Sequence, residues 1–160
     1  MVYSEKKNIS LYPDVLVIAE KPVYFDSGEN FLINPILIIE VLSRSTRRYD
    51  LTDKFSIYKT IPTLKEYVTV DTRKYFVRTN FREEPNLWHE EEYSDTSDSL
   101  ILKSVGCGIA IDKTYKKVEF KYFFYLKITF LKVKDIRVFL INVSPNQLSV
   151  IRPTIPCVQL

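Results

Sequence analysis

Two short apolar runs, Val15 to Ala19 and Ile36 to Leu42, constrain the fold of this chain most. Runs of this length without regular polar alternation are typical of strands that are buried on both faces of a sheet. The second run carries a carboxylate, Glu40, in its interior. An ionised carboxylate is costly to bury without a partner. The sequence therefore predicts a cation or hydrogen-bond donors beside Glu40.

The remaining pattern predicts a helix and several more strands around these two. Leu51, Phe55 and Tyr58 form one apolar face of a helix from Arg47 to Ile61, which Pro62 ends. Pro22 to Asn34 is expected to be a loop. The further expected elements are strands over Glu66 to Asp71, Lys74 to Thr79, Leu87 to Tyr93 and Ser99 to Lys103, and a short helix over Asp112 to Val118. We therefore expect an α/β domain: a mixed sheet with a flanking helix and a β-hairpin extension.

Composition excludes several classes of function. The 160 residues suffice for one domain, and 46% hydrophobic residues indicate a packed core. Three glycines are too few for a Gly-rich phosphate loop, and His89 is the only histidine, which argues against zinc sites and triads that need several imidazoles. The widely separated Cys107 and Cys157 predict no disulfide, and Met1 to Asn8 does not resemble a signal peptide, so a cytoplasmic location is expected.

Asp14 and Glu40 are the candidate metal ligands. Their carboxylates are the hard oxygen donors that Mg²⁺ (or Mn²⁺) prefers, and such an ion can activate water against a phosphodiester. Lys54 is the candidate cation beside them. The strand beyond Glu40 runs about three residues, roughly 10 Å, and eight residues of an antiparallel helix return roughly 12 Å. Lys54 is thereby expected level with Glu40.

Each of these residues also has a purely structural interpretation. Pro13-Asp14 is a common turn device, and Lys54 is four residues from Asp50, a spacing that forms helical ion pairs. Arg44, Arg47 and Arg48 either contact nucleic-acid phosphates or simply cover the surface, and the net charge of +3 permits a nucleic-acid partner without requiring it.

The chain resembles a known family at these same residues. The matching text is Tyr12 to Ile18, Asn34 to Ser43, Ser45-Thr46, Tyr49-Asp50, Lys54-Phe55, Tyr58 and Ile61 to Val68, with weaker likeness as far as Phe120. This pattern is similar to the Uma-two family of restriction endonucleases, of the PD-(D/E)XK nuclease superfamily. The resemblance implies a Mg²⁺-dependent DNA endonuclease with metal on Asp14 and Glu40, and such nucleases often act as homodimers. Leu42 stands where the superfamily has a lysine, so the resemblance implies that Lys54 takes that role.

Two features depart from the family pattern. Family members carry a further region before the Pro-Asp strand, whereas Met1 lies close to it here. Beyond Phe120 the composition changes, and Asp135 is the only acidic residue of 121–160. We therefore expect a partial restriction-endonuclease-like domain over 1–120, incomplete at its N-terminus, and a tail of unknown structure over 121–160. The alternative function is a non-catalytic nuclease remnant that at most binds nucleic acid or a partner protein.

Overall fold

The computed structural model describes residues 1–116, 118, 137–141 and 150–151. The strands of this part of the chain are β1 (Val2–Ser4), β2 (Ile9–Leu11), β3 (Val15–Ile18), β4 (Leu37–Leu42), β5 (Glu66–Asp71), β6 (Val77–Glu84), β7 (Leu87–Tyr93), β8 (Ser99–Leu102), β9 (Cys107–Ala110), β10 (Arg137–Ile141) and β11 (Val150–Ile151). The helical elements are α1 (Arg47–Tyr49), a π-helical turn (Asp50–Lys54), α2 (Phe55–Tyr58) and α3 (Ile111–Thr114).

The main sheet is mixed, as predicted. Its seven strands lie in the order β11-β10-β3-β4-β5-β6-β7, and β1-β2 and β8-β9 form two separate hairpins. β4 pairs in parallel with β5, while β3 pairs antiparallel with β4. The two apolar runs form the strands β3 and β4, and every residue of β3 is buried. The expectation of an α/β domain with a mixed sheet and a flanking helix is confirmed.

The two faces of the sheet are covered by different elements, which explains why β3 and β4 lack polar alternation. One face carries Val15, Val17, Leu37 and Ile39 and packs with residues of β8, β9 and α3. The other face carries Leu16, Ile18 and Ile38 and packs with residues of α2 and the segment that follows it. Because side chains alternate along a strand, Glu40 shares the face of Ile38 and points toward the helix.

The predicted helix from Arg47 to Ile61 is shorter and less regular than the sequence indicates. α1, the π-helical turn and α2 follow one another without a break and end at Tyr58. Arg82 contributes to this end, because its guanidinium donates to the carbonyls of Lys59 and Pro62. The apolar spacing that predicts a helix cannot distinguish an α-turn from a π-turn, since both place one face toward the core.

Three other predictions need correction, and three short strands were not predicted. The strand expected over Lys74 to Thr79 begins only at Val77 and extends to Glu84, because the residues before Val77 form the turn from β5. The short helix spans Ile111–Thr114, and Ser99–Leu102 ends one residue before the predicted Lys103. The hairpin β1-β2 was not predicted, since strands of three residues carry too little periodic signal. β9 was also not predicted, because its sequence, Cys-Gly-Ile-Ala, contains a glycine and shows no polar alternation.

Part of the segment 121–160 joins the sheet. β10 pairs antiparallel with β3 on the side opposite β4, and β11 pairs with β10. Within the described residues, β3 therefore has a neighbour on both sides. The rest of the predicted tail, with Cys157, lies outside the described residues.

Glu66, at the start of β5, is a second buried carboxylate in the main sheet. Its side chain accepts hydrogen bonds from the N–H groups of Lys103 (3.3 Å) and Ser104 (2.9 Å) and from the Ser104 hydroxyl (2.6 Å). Burial raises the pKa of Glu66, and these three donors oppose that rise. The contact fastens the turn between β8 and β9 to the sheet.

We expect Glu66→Ala to lower the free energy of unfolding by about 2 kcal/mol, because it leaves the partly buried N–H groups of Lys103 and Ser104 without their acceptor. Urea denaturation measures this loss. Glu84→Ala, at an exposed glutamate of β6, is the control and should change stability by less than about 0.5 kcal/mol. A loss below about 1 kcal/mol for Glu66→Ala would show that the contact between Glu66 and the β8–β9 turn contributes little to stability.

Candidate active site

Asp14 and Glu40 lie side by side at one edge of the sheet. Val15 pairs with Ile39 in the antiparallel register of β3 and β4, so the residue before Val15 comes opposite the residue after Ile39. The N–H of Val41 donates to Asp14 Oδ2 at 2.7 Å and fixes that carboxylate at the carboxyl end of β4. Glu40 is 1% exposed. The structure thus brings together the two carboxylates that the sequence singled out.

Lys54 completes this group from the helical side. Its Nζ lies 2.7 Å from Glu40 Oε1 and 3.4 Å from Asp50 Oδ1, and it donates to the carbonyl of Tyr12 at 3.1 Å. The expectation that Lys54 lies level with Glu40 is confirmed. The pairing with Asp50 that the helical spacing predicts is also present.

Two tyrosines belong to this site that sequence reasoning assigned only to the core or to a strand. The Tyr58 hydroxyl donates to Glu40 Oε1 at 3.2 Å, and the Tyr67 hydroxyl donates to the backbone carbonyl of Asp50 at 2.7 Å. Both are almost fully buried. A buried tyrosine hydroxyl needs a partner, so tyrosines facing the strand of Glu40 were the signal that could have revealed them.

Burial dominates the electrostatics of the site. It raises the pKa of Glu40 to about 8, although the ammonium of Lys54 opposes this, and it also raises the pKa of Asp14. Burial lowers the pKa of Lys54, but the carboxylates of Glu40, Asp50 and Asp14 together outweigh it and raise the value. Three carboxyl groups thus face one ammonium, so a further cation bound there would favour their ionised forms.

The donor set fits a hard cation bound by two carboxylates. The N–H of Val41 donates to Asp14 Oδ2, and Tyr58 and Lys54 contact Glu40 Oε1. The carboxyl groups of Asp14 and Glu40 also hydrogen-bond to each other, a contact that a divalent cation between two carboxylates would replace. Mg²⁺ is commonly held by one or two carboxylates together with several waters. No group of three or more His, Cys, Asp or Glu side chains suited to a metal occurs in the described residues.

A buried hydroxyl beside Glu40 supports a polar ligand there. Thr69 is the partner of Glu40 in the register of β4 and β5, and paired residues point to the same face of a sheet. Its Oγ1 is buried and has no hydrogen-bond partner among the described residues. A polar atom in this condition usually marks a place for water or an ion.

The three arginines are placed differently from one another. Arg47 Nη1 donates to Asp71 Oδ2 at 2.5 Å, at the carboxyl end of β5 next to the site. Arg44 lies in the connection after β4 and Arg48 lies in α1, and both are exposed. Neither takes part in an ion pair within the described residues. The structure therefore leaves Arg44 and Arg48 available to a ligand and ties Arg47 to Asp71, which sequence reasoning did not identify.

Comparison with known proteins is consistent with this site. Residues 2–113 match the family model described as "Uma2: Putative restriction endonuclease". "Uncharacterized protein sll1609" of Synechocystis sp. (strain ATCC 27184 / PCC 6803 / Kazusa) is 48% identical over 109 residues, which are 67% of this chain and 54% of that protein. "Uncharacterized protein slr1290" of the same strain is 34% identical over 90 residues, 56% of this chain and 47% of that protein. The aligned part of the chain spans about half the length of these relatives. No helix of the described residues is both long and apolar enough to cross a membrane.

The ion pair of Arg47 generates a pH-dependent prediction. Burial by itself would raise the pKa of Asp71, but the N–H of Arg73 and the guanidinium of Arg47 hold it below its usual value. A carboxyl with a depressed pKa stabilises the fold above its unfolded pKa, and this contribution is lost as pH falls through the folded value. Asp71→Asn should therefore cost on the order of 2 kcal/mol at pH 7, and the difference should shrink below about pH 4.

Urea unfolding at neutral and acidic pH measures this difference. Asp53→Asn, an exposed aspartate of the π-helical turn, is the matched control and should leave stability nearly unchanged at both values. An Asp71→Asn deficit of equal size at both pH values would contradict the assignment.

Proposed function

Because the chain belongs to the Uma2 restriction endonuclease family, we propose that it carries the active site of a metal-dependent DNA endonuclease, which hydrolyses phosphodiester bonds. The observation that carries this proposal is the contact of Lys54 with Glu40, beside Asp14 at the carboxyl end of β4. A buried lysine on paired strand carboxylates is an arrangement for handling negative charge and water, and core packing does not require it.

Asp14 and Glu40 would hold Mg²⁺ or Mn²⁺ through their carboxylates. When bound, the ion would supply a water of lowered pKa and would stabilise negative charge on the phosphate. Two residues of the chain orient the carboxylates that would bind the ion. Val41 orients the Asp14 carboxylate and Tyr58 orients that of Glu40 through its hydroxyl.

Lys54 would orient the attacking water or stabilise charge on the phosphate in the transition state. Its ammonium is held at a defined point by the carbonyl of Tyr12 and by Asp50, so little reorganisation is needed when substrate arrives. Only about a tenth of its side chain is exposed (11%), which keeps its charge poorly screened by solvent.

Arg44 and Arg48 would contact DNA phosphates near this edge of the sheet. They lie close in sequence to the carboxyl end of β4, where Glu40 and Asp14 meet, and both are exposed. Two exposed tyrosines lie near Lys54: the Tyr12 carbonyl accepts its hydrogen bond, and Tyr49 precedes Asp50 in the chain. Their side chains are 63% and 42% exposed and would offer aromatic surface to bases. The guanidinium of Arg47 is held by Asp71, so Arg47 would stabilise the fold beside the site and would not contact DNA.

Plasmid nicking tests the proposal. The protein should nick supercoiled DNA in Mg²⁺ or Mn²⁺ and stop in EDTA, and Asp14→Ala, Glu40→Ala and Lys54→Ala should each lower the rate about 100-fold or more. Glu84→Ala is the control and should cleave at the wild-type rate. Since one hydrolytic site cuts one strand at a time, linear product that forms without prior accumulation of nicked circles would indicate two sites acting together, as in a homodimer.

Two outcomes would decide against this function. If folded, monodisperse protein fails to nick DNA in either metal, the non-catalytic alternative stands, in which the chain at most binds nucleic acid or a partner protein. Cleavage that persists in Glu40→Ala would place the active site elsewhere.

The arginines generate a separate binding prediction. In EDTA, replacing Arg44 and Arg48 together by alanine should weaken DNA binding by a similar factor for unrelated sequences. It should also lower the slope of log affinity against log salt by about 1 to 2, because each phosphate contact releases counterions. Fluorescence anisotropy at several salt concentrations measures both. Lys65→Ala, an exposed cation just before the opposite end of β5, is the control, and an equal loss in both variants would refute a specific role for the arginines.

A further inference from the structure

The π-helical turn places two opposite charges on its buried side. Asp50 and Lys54 are the buried residues of this five-residue turn, while Asp53 between them is exposed. Turns of this kind are rare and frequently occur at functional sites. Asp50 is 4% exposed, so its carboxylate needs a partner within the fold.

Tyr67 fixes the turn that carries Asp50. Its hydroxyl donates to the Asp50 carbonyl at 2.7 Å, and its ring stacks on Phe55 with centroids 4.7 Å apart. Tyr67 projects from β5, in the sheet, and is 1% exposed. The position of Asp50 relative to Lys54 is therefore set by a rigid strand as well as by the helix.

Lys54 lies between two carboxylates at unequal distances. Its ammonium contacts Glu40 Oε1 at 2.7 Å, and Asp50 Oδ1 lies at 3.4 Å. A divalent cation on Glu40 would repel this ammonium, because both charges would share one poorly solvated carboxylate. Asp50 is the acidic side chain already within ion-pair distance to receive it.

We propose that Asp50 is a positioning residue that acts through Lys54: its carboxylate pairs with the Lys54 ammonium when a divalent cation binds to Glu40. The inference rests on the proposed function, since it presumes a metal on Asp14 and Glu40. Asp50 is not placed as a third metal ligand, because no group of three acidic side chains suited to a metal occurs among the described residues. Tyr67 supports the exchange by holding the backbone of Asp50 in place.

A double-mutant cycle read out by Mn²⁺ binding separates this role from a general effect of charge. Isothermal titration calorimetry is performed on wild type, Asp50→Asn, Lys54→Met and the double variant. Asp50→Asn should weaken Mn²⁺ binding about tenfold, within the range expected for coupled neighbours, and should change affinity less than about twofold when Lys54 is already Met. Asp53→Asn, the same change in the same turn, should leave affinity unchanged.

Activity provides a second readout. Asp50→Asn should lower kcat for plasmid nicking and leave KM for DNA unchanged, since Asp50 acts on the ammonium and not on the substrate. Tyr67→Phe removes a single oxygen and should weaken Mn²⁺ binding in the same direction by a smaller factor. If Lys54→Met does not unfold cooperatively, Lys54→Gln replaces it in the cycle.

The outcomes distinguish this inference from the proposed function. A tenfold effect of Asp50→Asn that persists without Lys54 would overturn the inference alone, because Asp50 would then act directly on the metal. Mn²⁺ binding that is absent from wild type, or that survives Glu40→Ala, would overturn the proposed metal site and this inference with it. Binding that is lost in Glu40→Ala and coupled through Lys54 would establish both.

Discussion

The ion pair between Glu40 and Lys54 is the interaction on which the arrangement of this protein depends. Glu40 projects from a central strand into an otherwise apolar layer, where a carboxylate without a partner would be strongly unfavourable. Lys54 meets it at 2.7 Å, and Tyr58 donates to the same oxygen. Removing one partner of such a buried pair typically costs roughly 3–5 kcal/mol, so the helical segment is held at one register over the sheet.

Three buried carboxylates of the main sheet each pair with a different kind of group. Glu66 binds backbone amides and a hydroxyl, Asp71 binds two arginines, and Glu40 binds one ammonium shared with two other carboxylates. The first two are fully satisfied and fasten pieces of the fold. The site of Glu40 instead gathers three carboxyl groups around one ammonium, which makes it a candidate for binding a cation.

The location of the site follows from strand direction and chain topology. β4 and β5 run in parallel, so their carboxyl ends meet at one edge of the sheet, and the helical segment begins just beyond that edge. Asp14 immediately precedes β3, which is antiparallel to β4, and lies directly opposite Glu40. Residues from three separate parts of the chain therefore meet where the backbone leaves the sheet, which is where open α/β sheets usually bind their ligands.

Much of this could be predicted from local pattern. The apolar runs determined β3 and β4, the alternation of Glu66 to Asp71 determined β5, and the strand Leu87–Tyr93 was predicted with its observed bounds. Lys54 could be placed beside Glu40 because strand and helix rises are constant and a buried carboxylate required a partner. Asp14 was added as a carboxylate at the start of the other buried strand and by the family resemblance. The short strands β1, β2 and β9 could not be predicted, since their hydrogen bonds depend on partners that only folding brings near.

What the sequence by itself determined was therefore the pair of buried strands, the flanking helix and the need for a cation or hydrogen-bond donors beside Glu40, because burial and periodicity are properties of short segments. Only the tertiary structure decided that the helix contains a π-helical turn, that Asp50 shares Lys54 with Glu40, and that Tyr58 and Tyr67 direct their hydroxyls to this site. These features depend on distances between elements far apart in the chain. A side chain's apolar character predicts that it is buried, but its hydrogen-bond partner is set by whichever element packs against it.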